Sequence, residues 1–341
     1  MKRKDFIQKT MMASASFFIT RDIMAKPNGP IYGHNEKKYR FNETWGRLNP
    51  DKTPVNDCHE MVQDSRGRII LLTNETKNNI IIYNKSGKLL ESWGQEYPGA
   101  HGLTIQTNDR ENYLFITDTN RHQVYKTDLY GKVIFTIDPP KDLYPKPEQF
   151  VPTETTVLQN GDFYIADGYG AQYILHYSMN GRLKNYFGGR GDGDAHLDNA
   201  HGICVDERGG AVPTLIVTDR SRNAFKRFSL DGKLLEVIKL PGACVCRPVI
   251  KGDYLYAAVL RSPNLNTEGS GFVTILNKDN KVVSNIGGSE PSYVNGVLQP
   301  MSQQQKLFTH PHDVCVDDEG NIYVAQWASG KVYPYKFSPV A

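Results

Sequence analysis

The 341-residue chain lacks the motifs that announce several common enzyme classes. It has no Gly-rich phosphate loop, no serine nucleophile elbow and no paired-carboxylate motif, which sets aside phosphate cradling, acyl-serine chemistry and the usual glycosidase arrangement. Among its five cysteines there is no C-x-x-C pair and so no thiolate zinc knuckle. Cys204 and Cys315 lie inside apolar runs, where a thiol serves as a small hydrophobe, and Cys244 and Cys246 form a C-x-C that an extended strand divides between its two faces. All five are read as buried free thiols. Excess charge is also missing. The formal net charge is +3, and Lys2, Arg3, Lys4, Lys9 and Arg21 against Asp5 and Asp22 place it in the first 25 residues. The near-neutral remainder argues against nucleic acid as a partner, because such partners leave a basic surface.

The N-terminal "MKRKDFIQKTMMASASFFIT" has a basic start and an apolar middle too short to cross a bilayer as an ordinary helix. Residues 1–25 are therefore expected to be an export signal, with no integral membrane domain and a periplasmic or secreted destination. "RKDFI" resembles the twin-arginine motif with Lys4 in place of the second arginine, and Sec is the alternative route.

Strand and turn residues are plentiful, with 30 glycines, 19 prolines and 19 tyrosines. They are organised in repeats. "HEMVQDSRGRIILLTNETKNNIIIYNKSGKLLESWG" from His59 and "HGICVDERGGAVPTLIVTDRSRNAFKRFSLDGKLLEVIKL" from His201 share a plan: an apolar strand, a tight turn, and three more strands. The opening residues are His59, His101, Thr153, His201, roughly Arg247, and His312. The first four are spaced 42, 52 and 48 residues apart, and the 111 residues from His201 to His312 hold two units. Six four-stranded units at these periods predict an all-β, six-bladed β-propeller. The last unit supplies only three strands, and "YRFNETWG" (Tyr39 to Gly46) has the pattern of the missing fourth. The ring is expected to close on this N-terminal strand, giving a lead-in arm over 26–38 and one domain over 39–341, a monomer.

In a propeller the first strand of each blade lines the central channel, so the opening residues face one another. Imidazoles converging on that axis suit zinc, and three protein ligands leave a position for water or substrate. Tyr169 and Arg220 follow the aspartates that end the second strands of adjacent units, Asp167 and Asp219, so both stand in equivalent loops. Positive charge beside a tyrosine favours the phenolate, a usable base.

"AHGLTI…ITDTNRHQVYKTD", "IADGYGAQYILHYSMNG", "AHGICVDERGG…VTDRSRNAFKRF" and "HPHDVCVDDEGNIYVA" resemble successive blades of the peptidyl-α-hydroxyglycine α-amidating lyases, six-bladed propellers related to the NHL-repeat proteins. The resemblance covers about His59 to Phe337. It implies zinc on His101, His201 and His312, a catalytic tyrosine at Tyr169 and a catalytic arginine at Arg220. It also implies a structural calcium held by the main-chain oxygens of Met61 and Leu103 and the carboxylate of Asp313. The chain departs from the family at Asn74, which stands where the family has a second arginine, and at His59, where the family has a small residue. Both are expected to face the channel or the substrate. Gly170 stands where the family carries a disulfide cysteine. The expected function is an exported zinc-dependent lyase that cleaves a C–N or C–O bond of a hydroxylated peptide, saccharide or other small substrate. The alternative is a non-catalytic NHL-type propeller binding a glycan, peptide or partner protein.

Overall fold

The computed structural model describes residues 29–107, 111–262 and 270–340, so the expected export segment, Met1 to Ala25, lies outside the described residues. Six antiparallel sheets are arranged around a channel, and helix is limited, among the described residues, to two 3-10 turns, Pro147–Gln149 and Arg220–Arg222. The first strands of blades one, two, three, four and six are Cys58–Gln63, Ala100–Thr107, Glu154–Val157, Ile203–Asp206 and Pro311–Val316. They pack against one another around the ring. In blade five the corresponding strand is broken into Cys244–Val245 and Val249–Lys251, both paired with Tyr254–Arg261.

Packing explains the sequence pattern. Ile69–Thr73 and Ile80–Tyr83 are buried along their whole length, because a central strand has a neighbouring blade on each face. The outermost strand of the same blade, Leu89–Trp93, is mostly open to solvent. Six separate apolar cores result, one between each pair of adjacent blades. The D-x-x-G segments make the first turns. Asp64 Oδ1 accepts the N–H groups of Arg66 and Arg68, each at 2.9 Å, and Gly67 takes φ +76, which costs a residue without a Cβ nothing.

Blade six combines the two ends of the chain. Its sheet runs Pro311–Val316, Ile322–Gln326, Tyr335–Pro339, Lys37–Asn42 and Ile31–His34, with Tyr39 opposite Pro339 and Phe41 opposite Phe337. The sequence placed the joining strand at Tyr39 to Gly46 and an arm at 26–38. In the structure the strand is Lys37–Asn42, residues 43–46 form turns, and Ile31–His34 is a fifth, outer strand rather than part of an arm. Alternation is weak in "IYGH", so nothing local marked it as a strand.

Candidate metal centre and catalytic pocket

The strand-opening histidines sit at faults in their ladders. The register shifts between Cys58 and Glu60, between Ala100 and Leu103, and between Pro311 and Asp313, bracketing His59, His101 and His312. A bulge places an extra residue on one strand and re-aims its side chain, here into the channel. His201 gets there differently. It precedes its strand, and its N–H is held at 2.7 Å by the carbonyl of Asn199, which adopts the left-handed φ of +63.

The four rings form one cluster. Centroids of His101, His201 and His312 are 4.8–5.0 Å apart, and His59 lies 4.9 Å from both His101 and His312. Burial, the largest cause in each case, pushes all four imidazoles down, His59 to about 3, so they are neutral at neutral pH. Hydrogen bonds orient two of them: Nδ1 of His101 donates to Thr153 O at 2.8 Å, and Nδ1 of His312 donates to His59 O at 3.1 Å. Their Nε2 atoms are therefore lone-pair acceptors. Both ring nitrogens of His201 and Nδ1 of His59 are buried with no hydrogen-bond partner. Orphaned buried nitrogens are costly unless something accepts them, and a cation that takes nitrogen ligands would. The donor set fits a metal ion.

The ligand atoms group less simply than the rings. His59, His101 and His312 bring one ligand atom each within 4.8 Å of the others, and so do His201, Cys246 and His312. Neither group is the trio expected from the resemblance: the rings of His101, His201 and His312 are neighbours, but His101 groups with His59 and His201 with Cys246, and His312 is common to both. Cys246 went unrecognised in the sequence, although its place just before Arg247 puts it in register with the opening residues. Burial pushes its thiol up to about 12.

The calcium expected at Met61, Leu103 and Asp313 meets a different arrangement. Those oxygens converge, but they converge on the Arg247 guanidinium. It donates to Leu103 O and Met61 O at 3.0 Å each and to the two Asp313 oxygens at 3.0 and 2.8 Å. A calcium ion does not fit in a cradle already filled by a buried cation.

Above the histidines is a cavity of about 420 Å³ whose lining includes Tyr169, Arg220, Asn199, Asn120 and Arg261. Asp167 shapes the Tyr169 loop. Its carboxylate accepts Val151 N at 2.7 Å, Ala171 N at 2.6 Å and the Tyr144 hydroxyl at 2.7 Å. The turn explains Gly170, since a Cβ there would stand 2.1 Å from Asp167 Oδ1, leaving no room for a cysteine. Tyr169 lines the pocket and is 41 % exposed as a residue, while its hydroxyl lies 3.1 Å from His101 Nε2 and 3.1 Å from Arg220 Nη2. Because His101 Nε2 is an acceptor, the hydroxyl donates to it and accepts from Arg220. Burial pushes the phenol up and Arg220 pulls it part of the way back, so the arginine alone does not produce the phenolate that the sequence led us to expect. Arg220 is buried, with its carbon 5.6 Å from the Tyr169 ring centre and Nη1 without a partner. Asp219, the obvious salt-bridge partner, is instead taken by Lys226 at 2.7 Å and Arg222 at 3.1 Å.

Asn74 borders the same pocket but is committed to its own loop, accepting from Asn56 and Asp57 N and donating to Asp57, at 2.9–3.0 Å. Arg261, the last residue of Tyr254–Arg261, supplies a second guanidinium there. The sequence signal for it was weak: a charge ending an apolar strand just before a long insertion.

No protein-family model matches the chain. A peptidyl-alpha-hydroxyglycine alpha-amidating lyase of Drosophila melanogaster is 25% identical over 321 residues, covering 87% of this chain and 54% of that protein. The chain thus spans about half the length of that relative. NHL repeat-containing protein 3 of Mus musculus is 24% identical over 244 residues, covering 67% of this chain and 69% of that protein. The chain is similar to amidating lyases and NHL-repeat proteins. Among solved structures, a streptogramin B lyase superposes with a TM-score of 0.58 over 88% of this chain and 97% of its own, at 14% identity, a likeness of fold. The similarity to the amidating-lyase and NHL-repeat relatives and the ring of blades agree on a six-bladed, NHL-like propeller.

Proposed function

We propose that the protein is an exported, zinc-dependent lyase that breaks a C–N or C–O bond next to a hydroxyl-bearing carbon. One observation carries the reading: four buried, neutral imidazoles cluster in the channel, two of them with orphaned nitrogens, and three line a pocket in which a tyrosine hydroxyl is held between an arginine and one of those imidazoles. A packing or strand-capping role needs no such convergence, and a non-catalytic propeller has no use for it.

His101, His201 and His312, whose ring centres are 4.8–5.0 Å apart, would hold the ion, with His59 and Cys246 as neighbouring donors in the two groups that share His312. When bound, zinc supplies a Lewis acid for a substrate oxygen and a positive charge that favours the phenolate of Tyr169. The chain's own residues do the rest. Arg220 grips a substrate oxygen with its unpartnered Nη1 and steadies the Tyr169 oxygen through Nη2. One His101 lone pair cannot serve both Tyr169 and a cation, so with His101 as a ligand the Tyr169 oxygen would be held by Arg220 alone and would face the substrate. Tyr169, as the phenolate whose own proton has been released to solvent, then accepts the hydroxyl proton of the substrate, the O–H electron pair becomes the second bond of a carbonyl, and the C–N or C–O bond breaks. The leaving nitrogen or oxygen takes that bond's electron pair and recovers the proton from Tyr169.

The substrate class follows the lyase named among the relatives, with α-hydroxyglycine peptides the first compounds to assay and oxidised or unsaturated glycosides the second. The test is metal content of the purified protein together with turnover. We expect about one zinc per chain and cleavage that disappears on chelation and returns with zinc. A metal-free protein with an intact fold would remove the lyase reading and leave a binding propeller.

A further inference from the structure

Beneath the histidines, the channel contains a charge cluster that the proposed chemistry does not use. Glu60, Glu154 and Asp313, from the first strands of blades one, three and six, are buried around one cation, Arg247. Its Nε and Nη2 form a fork on Asp313, while Nη2 and Nη1 also donate to Met61 O and Leu103 O. Glu60 and Glu154 stand just outside hydrogen-bond reach at 3.7 and 3.5 Å. The carboxylates bind in turn to the backbone: Glu60 accepts Leu103 N at 2.6 Å, Asp313 accepts Met61 N at 2.8 Å, and Glu154 accepts Thr155 N at 2.7 Å.

We propose that Arg247 is a built-in cation that pins the inner strands of the propeller at a point where the same oxygens would otherwise hold a divalent ion. Two main-chain carbonyls and a two-oxygen carboxylate, backed by further acids, make a set of hard ligands suited to calcium. The planar guanidinium reads the same oxygens at hydrogen-bond lengths of 2.8–3.0 Å with four of its five N–H groups. The chain is adapted to deliver it. The first strand of blade five is interrupted between Val245 and Val249, and Arg247 enters the channel from that gap. Gly202 lets the backbones close, since a Cβ there would stand 2.5 Å from Arg247 Cα. The arrangement joins blades one, two, five and six through contacts that span 66, 144 and 186 residues of sequence. A guanidinium tethered to the chain cannot be chelated or diluted away, so this pin does not depend on calcium supply.

The test is thermal unfolding with calcium and with a calcium-selective chelator, read beside direct calcium binding. Wild type should show no bound calcium at this position and the same Tm in both conditions. Arg247→Ala should unfold about 5–10 °C lower, the scale expected when one partner of a buried pair is removed. It should recover a large part of that loss in millimolar calcium and bind one ion per chain. Asp313→Asn in the Arg247→Ala background should abolish the recovery, which assigns the ion to this cradle rather than to surface acids. If Arg247→Ala does not fold, Arg247→Lys keeps a charge without the fork and should show a smaller loss with the same calcium response. A wild-type Tm that rises with calcium as one ion binds would overturn the proposal. So would Arg247 variants that match wild type, or that stay equally destabilised with calcium.

Discussion

Tyr169 separates a catalytic pocket from a packed one, because its phenol ring and its hydroxyl do different work. The ring forms pocket wall, and the hydroxyl joins Arg220 to His101. Tyr169→Phe keeps the wall and should leave folding and zinc content intact, but we expect turnover to fall by roughly 10²-fold or more, the scale of general-base loss. Arg220 makes a complementary case. With Asp219 already occupied by Lys226 and Arg222, no carboxylate among the described residues forms a salt bridge with Arg220; its Nη2 donates to the Tyr169 hydroxyl, and its unpartnered Nη1 is available to a ligand. Arg220→Lys retains the charge and loses the planar fork, so kcat/KM should drop while Tm stays close to wild type. Undiminished turnover in both variants would move the chemistry to His59. His201, with two orphaned nitrogens, has no packing reason to be a histidine. His201→Ala should therefore strip the metal without unfolding the chain, as measured by metal analysis and circular dichroism.

At the scale of elements, the bulges and the loops that follow the second strands set the site. The ladder faults turn three histidines inward, while Asp167 and Asp219 organise the loops carrying Tyr169 and Arg220. Asp167 shows how tightly this is done. Burial pushes its carboxyl up to about 6, and the Tyr144 hydroxyl and the backbone N–H groups of Val151, Ala171 and Gly170 pull the other way. Asp167→Asn puts an amide NH₂ against donors, and should cost about 1–3 kcal/mol of stability and lower turnover by misplacing Tyr169. Wild-type kinetics in that variant would show that the loop does not depend on the carboxylate. The closing strands make a second prediction. Removing residues through Glu36 takes Ile31–His34 with it, including the His34 N–H donated to Ser284 Oγ at 2.8 Å, and should lower Tm modestly. Removing residues through Gly46 also takes Lys37–Asn42, its stacking of Phe41 on Phe337 at 4.9 Å, and Trp45 from a core. That cut exposes a sheet edge in blade six and should be much more damaging. Equal Tm values for the two truncations would refute a load on the inner closing strand.

As a whole, the molecule is a ring of six cores held without help from the histidine site. Each core lies between two blades, and the channel floor is pinned by Arg247. Metal removal should therefore leave far-UV circular dichroism unchanged, abolish turnover, and lower Tm only by the mass-action stabilisation that a bound ligand provides. Loss of folded signal on chelation would show instead that the ion, rather than the cores, holds the ring. A pre-built ring also accounts for the placement of the chemistry, since six rigid inner strands can hold imidazoles from distant parts of the chain within 5.0 Å of one another.

The sequence by itself determined the repeat, and with it much of the site. Apolar runs, D-x-x-G turns and a recurring opening residue specify blades because strand formation and tight turns are local, and a period of forty to fifty residues makes equivalent positions meet. His59, His101, His201 and His312 were legible for that reason, and so were Tyr169 and Arg220, each next to an aspartate that ends a second strand. Only the tertiary structure decided which side chains share atoms. Asn74 borders the pocket yet binds its own loop, Arg261 arrives from another blade, and Cys246 joins His201 and His312. Arg247 takes the position where calcium was expected. These outcomes rest on bulges that turn a side chain by one residue and on contacts across as many as 186 positions of sequence, and neither leaves a trace in local pattern.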